Sequence, residues 1–191
     1  NQIAAIPELK EFFYIGANGK IGNVVCKALL KKMPHLRIRV LSSYEGMDHP
    51  RVSYTKDMSE IVNYEVVVTG KFLTPNKWTS AFKNVSKTVK TRFILDYTVP
   101  CIPIRVRDQT QINHIQIGIL EATNRTFLKG HFDVCMSHDE NHIYPCHAGC
   151  IINMVEKREC NETGEVDMEE MTRIWEKAVG YGFRNKSICY E

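Results

Sequence analysis

Apolar and polar positions alternate along this chain in two rhythms, short continuous apolar runs and longer amphipathic stretches, and the two take turns. Phe12 to Ile15 is an apolar run that reads as a buried strand. It ends in Gly16-x-x-Gly19-x-x-Gly22 and passes straight into a segment with Val24, Val25, Ala28 and Leu29 on one face. That spacing predicts a helix over about 20–32, stopped by Pro34. Arg37-Ile-Arg-Val-Leu41 is the second strand and Val52 to Tyr54 a short third. A short helix is expected over 57–62, and Glu65-Val-Val-Val-Thr69 is a buried strand followed by Gly70. Thr74-Pro75 reads as cap and first turn of a helix to about 84. Arg92 to Asp96 is the next strand, and Pro100 and Pro103 forbid a helix after it. Ile115 to Leu120 is a further strand, whereas 123–141 is polar and carries no period. Two helices close the chain, one from Pro145 to about 157 and one from Asp167 to about 181. Met168, Met171, Ile174, Trp175 and Ala178 form the apolar stripe of the last. Strands alternating with helices predict an α/β fold, a Rossmann-like doubly wound and mostly parallel sheet with helices on both faces, in a single domain over 1–191.

The opening strand, glycine turn and helix have the order of a dinucleotide-binding unit. Gly16 lets the chain turn sharply, Gly19 lets a pyrophosphate approach the backbone, and Gly22 lets the helix pack close to the strand. Asn18, Lys20 and Ile21 complete the expected cofactor-binding turn, where free N–H groups and the positive end of the helix dipole favour an anion. Gly70 falls where a strand end faces the ligand crevice. The second strand ends at Ser42-Ser43, with none of the acidic residues that favour a ribose 2′-hydroxyl. Ser42 and Ser43, with Lys20 and Arg39, suit a 2′-phosphate instead, so NADP(H) is the expected cofactor.

Charge and composition narrow the partners. A net charge of +3 with dispersed basic residues gives no reason to expect nucleic acid, and no apolar run nears the ~20 residues of a membrane span. Seven cysteines at irregular spacing, with no CxxC pair, argue against a disulfide scaffold and for a reducing compartment, the cytoplasm first. The chain starts at Asn1 rather than Met, which leaves an organelle open.

Pro145-Cys146-His147-Ala148-Gly149-Cys150 is the second informative stretch. Pro145 as first helical residue puts Cys146 in the first turn, where the helix dipole favours a thiolate and free N–H groups can hold an oxyanion. Cys146 is therefore a candidate nucleophile, although buried cysteines more often serve as small hydrophobes. His147 is the first candidate for proton transfer, with His114, His138 and His142 behind it. Cys135, His138, His142, Cys146 and Cys150 fall in a short span, but only the histidine pair has zinc-ligand spacing, and no metal site is expected.

Several stretches resemble the C-terminal domain of the plant surface-wax proteins of the Eceriferum type, the very-long-chain aldehyde-forming and decarbonylating proteins. They are Val67-Val-Thr-Gly-Lys-Phe-Leu-Thr-Pro75, Phe93-Ile-Leu-Asp-Tyr-Thr-Val-Pro-Cys-Ile-Pro103, Cys146-His-Ala-Gly149, and Glu162 to Ala178 with Gly182-Phe183. With the glycine turn they span Phe12 to Phe183. More distantly the chain is similar to cyanobacterial long-chain acyl-carrier-protein reductases, whose cysteine at the head of a corresponding helix carries the acyl group. That resemblance implies an acyl-cysteine at Cys146, with Ala148 as a packing residue. The plant proteins also have an N-terminal membrane domain rich in histidine clusters, without counterpart here, so the resemblance implies the reductase-like or nucleotide-binding half. The expected function is NADPH-dependent reduction of a long-chain acyl thioester to a fatty aldehyde, with Asp96 shaping the site or hydrogen-bonding a ligand. The alternative is a non-catalytic Rossmann-like subunit of a larger assembly with protein partners, or an NADP- or lipid-binding module.

Overall fold

A computed structural model describes residues 9–83, 89–99, 101, 112–123, 142–158 and 167–190. The chain divides into two compact units, one drawn mainly from residues 1–116 and one from 117–188.

The first unit is a parallel sheet. β1 (Glu11–Ile15) lies at its centre, α1 (Lys20–Lys32) follows, and β2 (Arg37–Leu41) pairs with one edge of β1, Glu11 opposite Arg37 and Ile15 opposite Leu41. β3 (Val52–Thr55) extends that side. A 3₁₀ helix (Met58–Asn63) leads to β4 (Val66–Thr69), which takes the other edge of β1 with Ile15 opposite Thr69. After α2 (Pro75–Lys83) come β5 (Phe93–Asp96) and the first residues of β6 (Asn113–Ala122). The order is β3-β2-β1-β4-β5-β6. Direction of travel reverses between β1 and β4, and that switch point opens a crevice at the carboxyl ends of the strands.

Both sheet faces are covered, which is why the strands read as unbroken apolar runs. Phe12, Phe13, Tyr14, Ile15, Val66, Val67 and Val68 are all buried. Alternation sends Phe13 and Ile15 into a core with Ile61, Val67, Trp78 and Ile94, under α2 and the 3₁₀ helix. Phe12 and Tyr14 face the other way, toward α1, with Tyr14 near the buried Cys26. Arg51 closes the carboxyl end of α1, donating to the carbonyls of Leu30 at 2.7 Å and Met33 at 2.8 Å.

In the second unit the later part of β6 pairs antiparallel with β7 (His142–Ile143), Leu120 opposite Ile143, and β8 (Phe183–Tyr190) also pairs with β6. α3 (Pro145–Val155) and α4 (Met168–Gly180) bury Ala148, Ile152 and Ala178 against Leu120, Ile143 and Phe183. Asp167 caps α4 as expected, accepting from the N–H of Glu169 at 2.8 Å and of Glu170 at 3.3 Å. Glu156 pairs with Lys177 across the two helices and accepts from the Tyr181 hydroxyl.

The α/β, mostly parallel architecture expected from the sequence is the observed one. β7 and β8 are additions the apolar pattern did not give. The expected strand end at Leu120 moves to Ala122, and the expected helix end near 157 moves back to Val155. The polar stretch 124–141 and the end of the α2 helix at 84 lie outside the described residues.

A Cβ on Gly22 would stand 2.2 Å from the Gly16 carbonyl oxygen, inside backbone that cannot swing away. Gly22→Ala is therefore expected to destabilise the protein by about 2–4 kcal/mol, the range of severe overpacking, read as a lower urea midpoint. A midpoint equal to that of the unsubstituted protein would contradict this packing.

Candidate functional site

The glycine turn is built as a cradle. Gly16 has φ +95°, a conformation that favours glycine, and its missing Cβ leaves room for the backbone of Gly70 and Lys71, 3.0 Å from where that atom would be. The Gly19 N–H donates to the Gly16 carbonyl at 3.1 Å and closes the turn. Gly19 is also the N-cap of α1 and offers no side chain to the helix end. Asn23 is the first residue whose N–H finds a helical partner, the Gly19 carbonyl at 2.8 Å. The N–H groups of Lys20, Ile21 and Gly22 thus have no partner among the described residues, and the first turn carries no acidic side chain. A helix of 13 residues adds its positive dipole end. This is a donor set for a phosphate or pyrophosphate.

Asn18 ties the turn to the segment after β2. Its amide donates to the Ser42 hydroxyl at 2.8 Å and to the Tyr44 carbonyl at 3.0 Å. Gly46 lies against the same amide, where a Cβ would come within 2.4 Å. Ser42 is thereby held beside the glycine turn.

Next to it a cavity of about 440 Å³ opens at the ends of β1, β2 and β4. Ile15, Leu41, Met58 and Leu73 give it apolar walls, and Ser42, Ser43, Lys56, Lys71, Lys77 and Ser80 give it a polar rim. The rim lysines follow β3 and β4 or sit on α2, where the spacing of residues in sequence gave no hint that they meet. Arg39, a sequence candidate for the same anion, is engaged elsewhere. Its guanidinium grips Glu60 through two hydrogen bonds of 2.8 Å, and Glu60 also accepts from Thr55 at 2.7 Å. That pair fastens the 3₁₀ helix, and with it Met58, to the sheet.

Gly70 does face the end of β1, donating its N–H to the Ile15 carbonyl at 2.8 Å, but its open side is filled by a ring. A Cβ there would overlap the Tyr97 ring at 1.9 Å. Tyr97 in turn bonds the Tyr14 hydroxyl at 2.7 Å, and burial pushes both phenols above the ordinary tyrosine value. Asp96, expected to shape the site or touch a ligand, is fully buried. One carboxylate oxygen accepts from the N–H and hydroxyl of Thr98 at 2.8 and 2.6 Å, and the other lies 3.1 Å from Nε2 of His114. A carboxylate without water needs such partners, and these make Asp96 a strut beneath the strand ends. His114, also buried, is held in the same arrangement.

Cys146 and His147 belong to the second unit. Tyr144 is the N-cap of α3 and Pro145 its first residue, so Cys146 is in the first turn as expected, and its side chain is exposed. Cys150, one turn later, is exposed too. His147 is half-buried with its ring edge-on to Tyr144, centroids 6.1 Å apart. Among the described residues no group of His, Cys, Asp or Glu is arranged to hold a metal, and Cys135 and His138 lie outside them. No helix among the described residues is long and apolar enough to cross a membrane.

No family model matches the chain. It is similar to the very-long-chain aldehyde decarbonylase GL1-2 of Oryza sativa, in both subspecies indica and japonica, with 22% identity over 177 residues. That is 91% of this chain and 27% of the relative, so the chain spans about a quarter of the length of the relatives it matches. Among solved structures it resembles an NAD-bound short-chain dehydrogenase/reductase superfamily protein from Agrobacterium tumefaciens, at 11% identity and TM-score 0.39, over 62% of this chain and 51% of that one. Uronate dehydrogenase from the same organism aligns over 47% of this chain and 40% of that one, at 15% identity and TM-score 0.33.

The Arg39 guanidinium holds the Glu60 carboxyl below its usual 4.5. A carboxyl depressed on folding adds stability above its unfolded pKa and loses it as pH falls through the folded one. Unfolding followed by urea at decreasing pH should show Glu60→Gln losing less stability than the unsubstituted protein below about pH 4.5. Parallel acid limbs for the two proteins would contradict the pairing.

Proposed function

We propose that this chain is an NADP(H)-dependent reductase domain acting on long-chain acyl thioesters, with Cys146 as nucleophile. The observation that supports it most is the cradle of the β1–α1 corner. Three N–H groups without a partner among the described residues, a helix start without a side-chain cap and a close-packed glycine turn fit the pyrophosphate of a dinucleotide. Lys20, Ile21 and Gly22 would bind it through the backbone. Asn18 fixes the turn, and the cavity beside Ser42 has the apolar walls an adenine ring needs. Bound NADPH would supply a hydride.

The thioester half of the proposal draws on the similarity to a very-long-chain aldehyde decarbonylase and on the place of Cys146 in an exposed first helical turn. As thiolate, Cys146 attacks the thioester carbonyl and expels the carrier thiol, which leaves with a proton. The acyl group is then a thioester on the protein. Reduction by hydride gives a thiohemiacetal, whose collapse releases the aldehyde and restores the thiolate. His147 is the nearest residue in sequence to take or give the proton, and the first-turn N–H groups of α3 suit the oxyanion. Asp96 has no part in these steps, since its oxygens are engaged by Thr98 and His114.

Incubation with NADPH and palmitoyl-CoA should yield aldehyde, and mass spectrometry without NADPH should find the acyl adduct on the Cys146 peptide. Cys146→Ala should abolish the adduct and lower turnover by about 10³-fold or more. Cys26 serves as internal control, because burial pushes its thiol up to about 12 and it should stay unmodified. Turnover that survives Cys146→Ala would rule out this mechanism.

A further inference from the structure

The cavity beside the glycine cradle has an excess of cation that the fold does not use. Lys56 follows β3, Lys71 follows β4 and Lys77 lies on α2, and all three line the same 440 Å³ space. None is in an ion pair among the described residues. The neighbouring carboxylates are committed elsewhere, Asp57 to the N–H of Ser59 and Glu60 to Arg39. Three lysines lining one hollow make it electropositive, and an anion held there gains from that potential.

The hydroxyl at the edge of the hollow is poised in the same sense. Ser42 Oγ accepts from the Asn18 amide at 2.8 Å and from the Tyr44 N–H at 3.2 Å. A hydroxyl has two acceptor sites and one donor. With both acceptor sites taken, what Ser42 has left to offer is its proton. A phosphate, whose oxygens only accept, is the matching ligand, whereas a ribose hydroxyl that must donate finds no open acceptor on this side chain.

We propose that Lys56, Lys71 and Lys77, with the Ser42 hydroxyl, form the site that reads the 2′-phosphate of NADP(H) and rejects NAD(H). This rests on the dinucleotide reading of the cradle and assigns specificity to lysines from three separate elements rather than to a basic residue directly after β2. The pyrophosphate is served by the N–H groups of α1, so the lysines are left for a second anionic group. A 2′-phosphate brings a charge of about −1.5 to −2 at neutral pH, and the lining of the cavity has three lysines and no carboxylate among the described residues.

Calorimetric titration of the intact protein with 2′,5′-ADP and with 5′-AMP tests this, since the two differ by the phosphate in question. We expect 2′,5′-ADP to bind at least tenfold more tightly, and each Lys→Ala change to remove about fivefold of that preference while 5′-AMP affinity stays nearly constant. Lys71→Arg should keep most of the preference. In the unsubstituted protein the gap should also narrow as salt rises from about 0.05 to 0.5 M, a reading that needs no variant to fold. A preference that persists in the triple variant, or equal affinity for the two nucleotides, overturns the assignment and leaves the dinucleotide reading standing. Binding of neither nucleotide overturns both.

Discussion

The first unit depends on how closely α1 sits on the end of β1. Gly22 has its Cα against the Gly16 carbonyl, with no room for even one more carbon, and Gly16 itself turns through a backbone angle of +95°. The helix begins that near the strand, and the N–H groups of its first turn have no partner among the described residues. The same closeness draws the end of β4 inward, so that Gly70 and Lys71 pack on Gly16 and the Tyr97 ring fills the space above Gly70. One steric constraint thus sets the helix, the crevice and one of its lysines together.

Charge is then distributed unevenly around the crevice. Arg39, Glu60, Asp57, Asp96 and His114 are each engaged in bonds that hold elements in place. The ammonium groups of Lys56, Lys71 and Lys77 are in no ion pair among the described residues, and the start of α1 lacks both a side-chain cap and an acid. The rim of the cavity at the strand ends is therefore left cationic. The second unit carries a different kind of group, an exposed thiol in the first turn of a helix.

Much of this was legible from residue order. α1 runs over Lys20–Lys32 and β2 over Arg37–Leu41, the spans the sequence predicts, because α1 has an apolar face at helical spacing and β2 alternates its buried Ile38 and Val40 with Arg37 and Arg39. Glycine spacing located the cradle for the same reason that a missing side chain is visible in a sequence. What could not be read was whatever depends on contacts between distant residues. β7 has only two residues, and β8 follows its buried Phe183 with exposed and half-buried positions that do not strictly alternate, so neither carries a period. Asp96 looked like a ligand group at a strand end, and only its pairing with His114, 18 residues on, shows it turned inward. Arg39 looked free until Glu60 was found beside it. The three rim lysines lie on separate elements, and nothing short of the folded sheet brings them to one cavity.

The central claim is that an anionic dinucleotide lies on the first turn of α1. The most direct measurement is to follow backbone amide resonances while NADPH is added. The account predicts that the largest shifts fall on Lys20, Ile21 and Gly22, whose N–H groups gain an acceptor. Saturation with NADPH that leaves those three amides unmoved would contradict it.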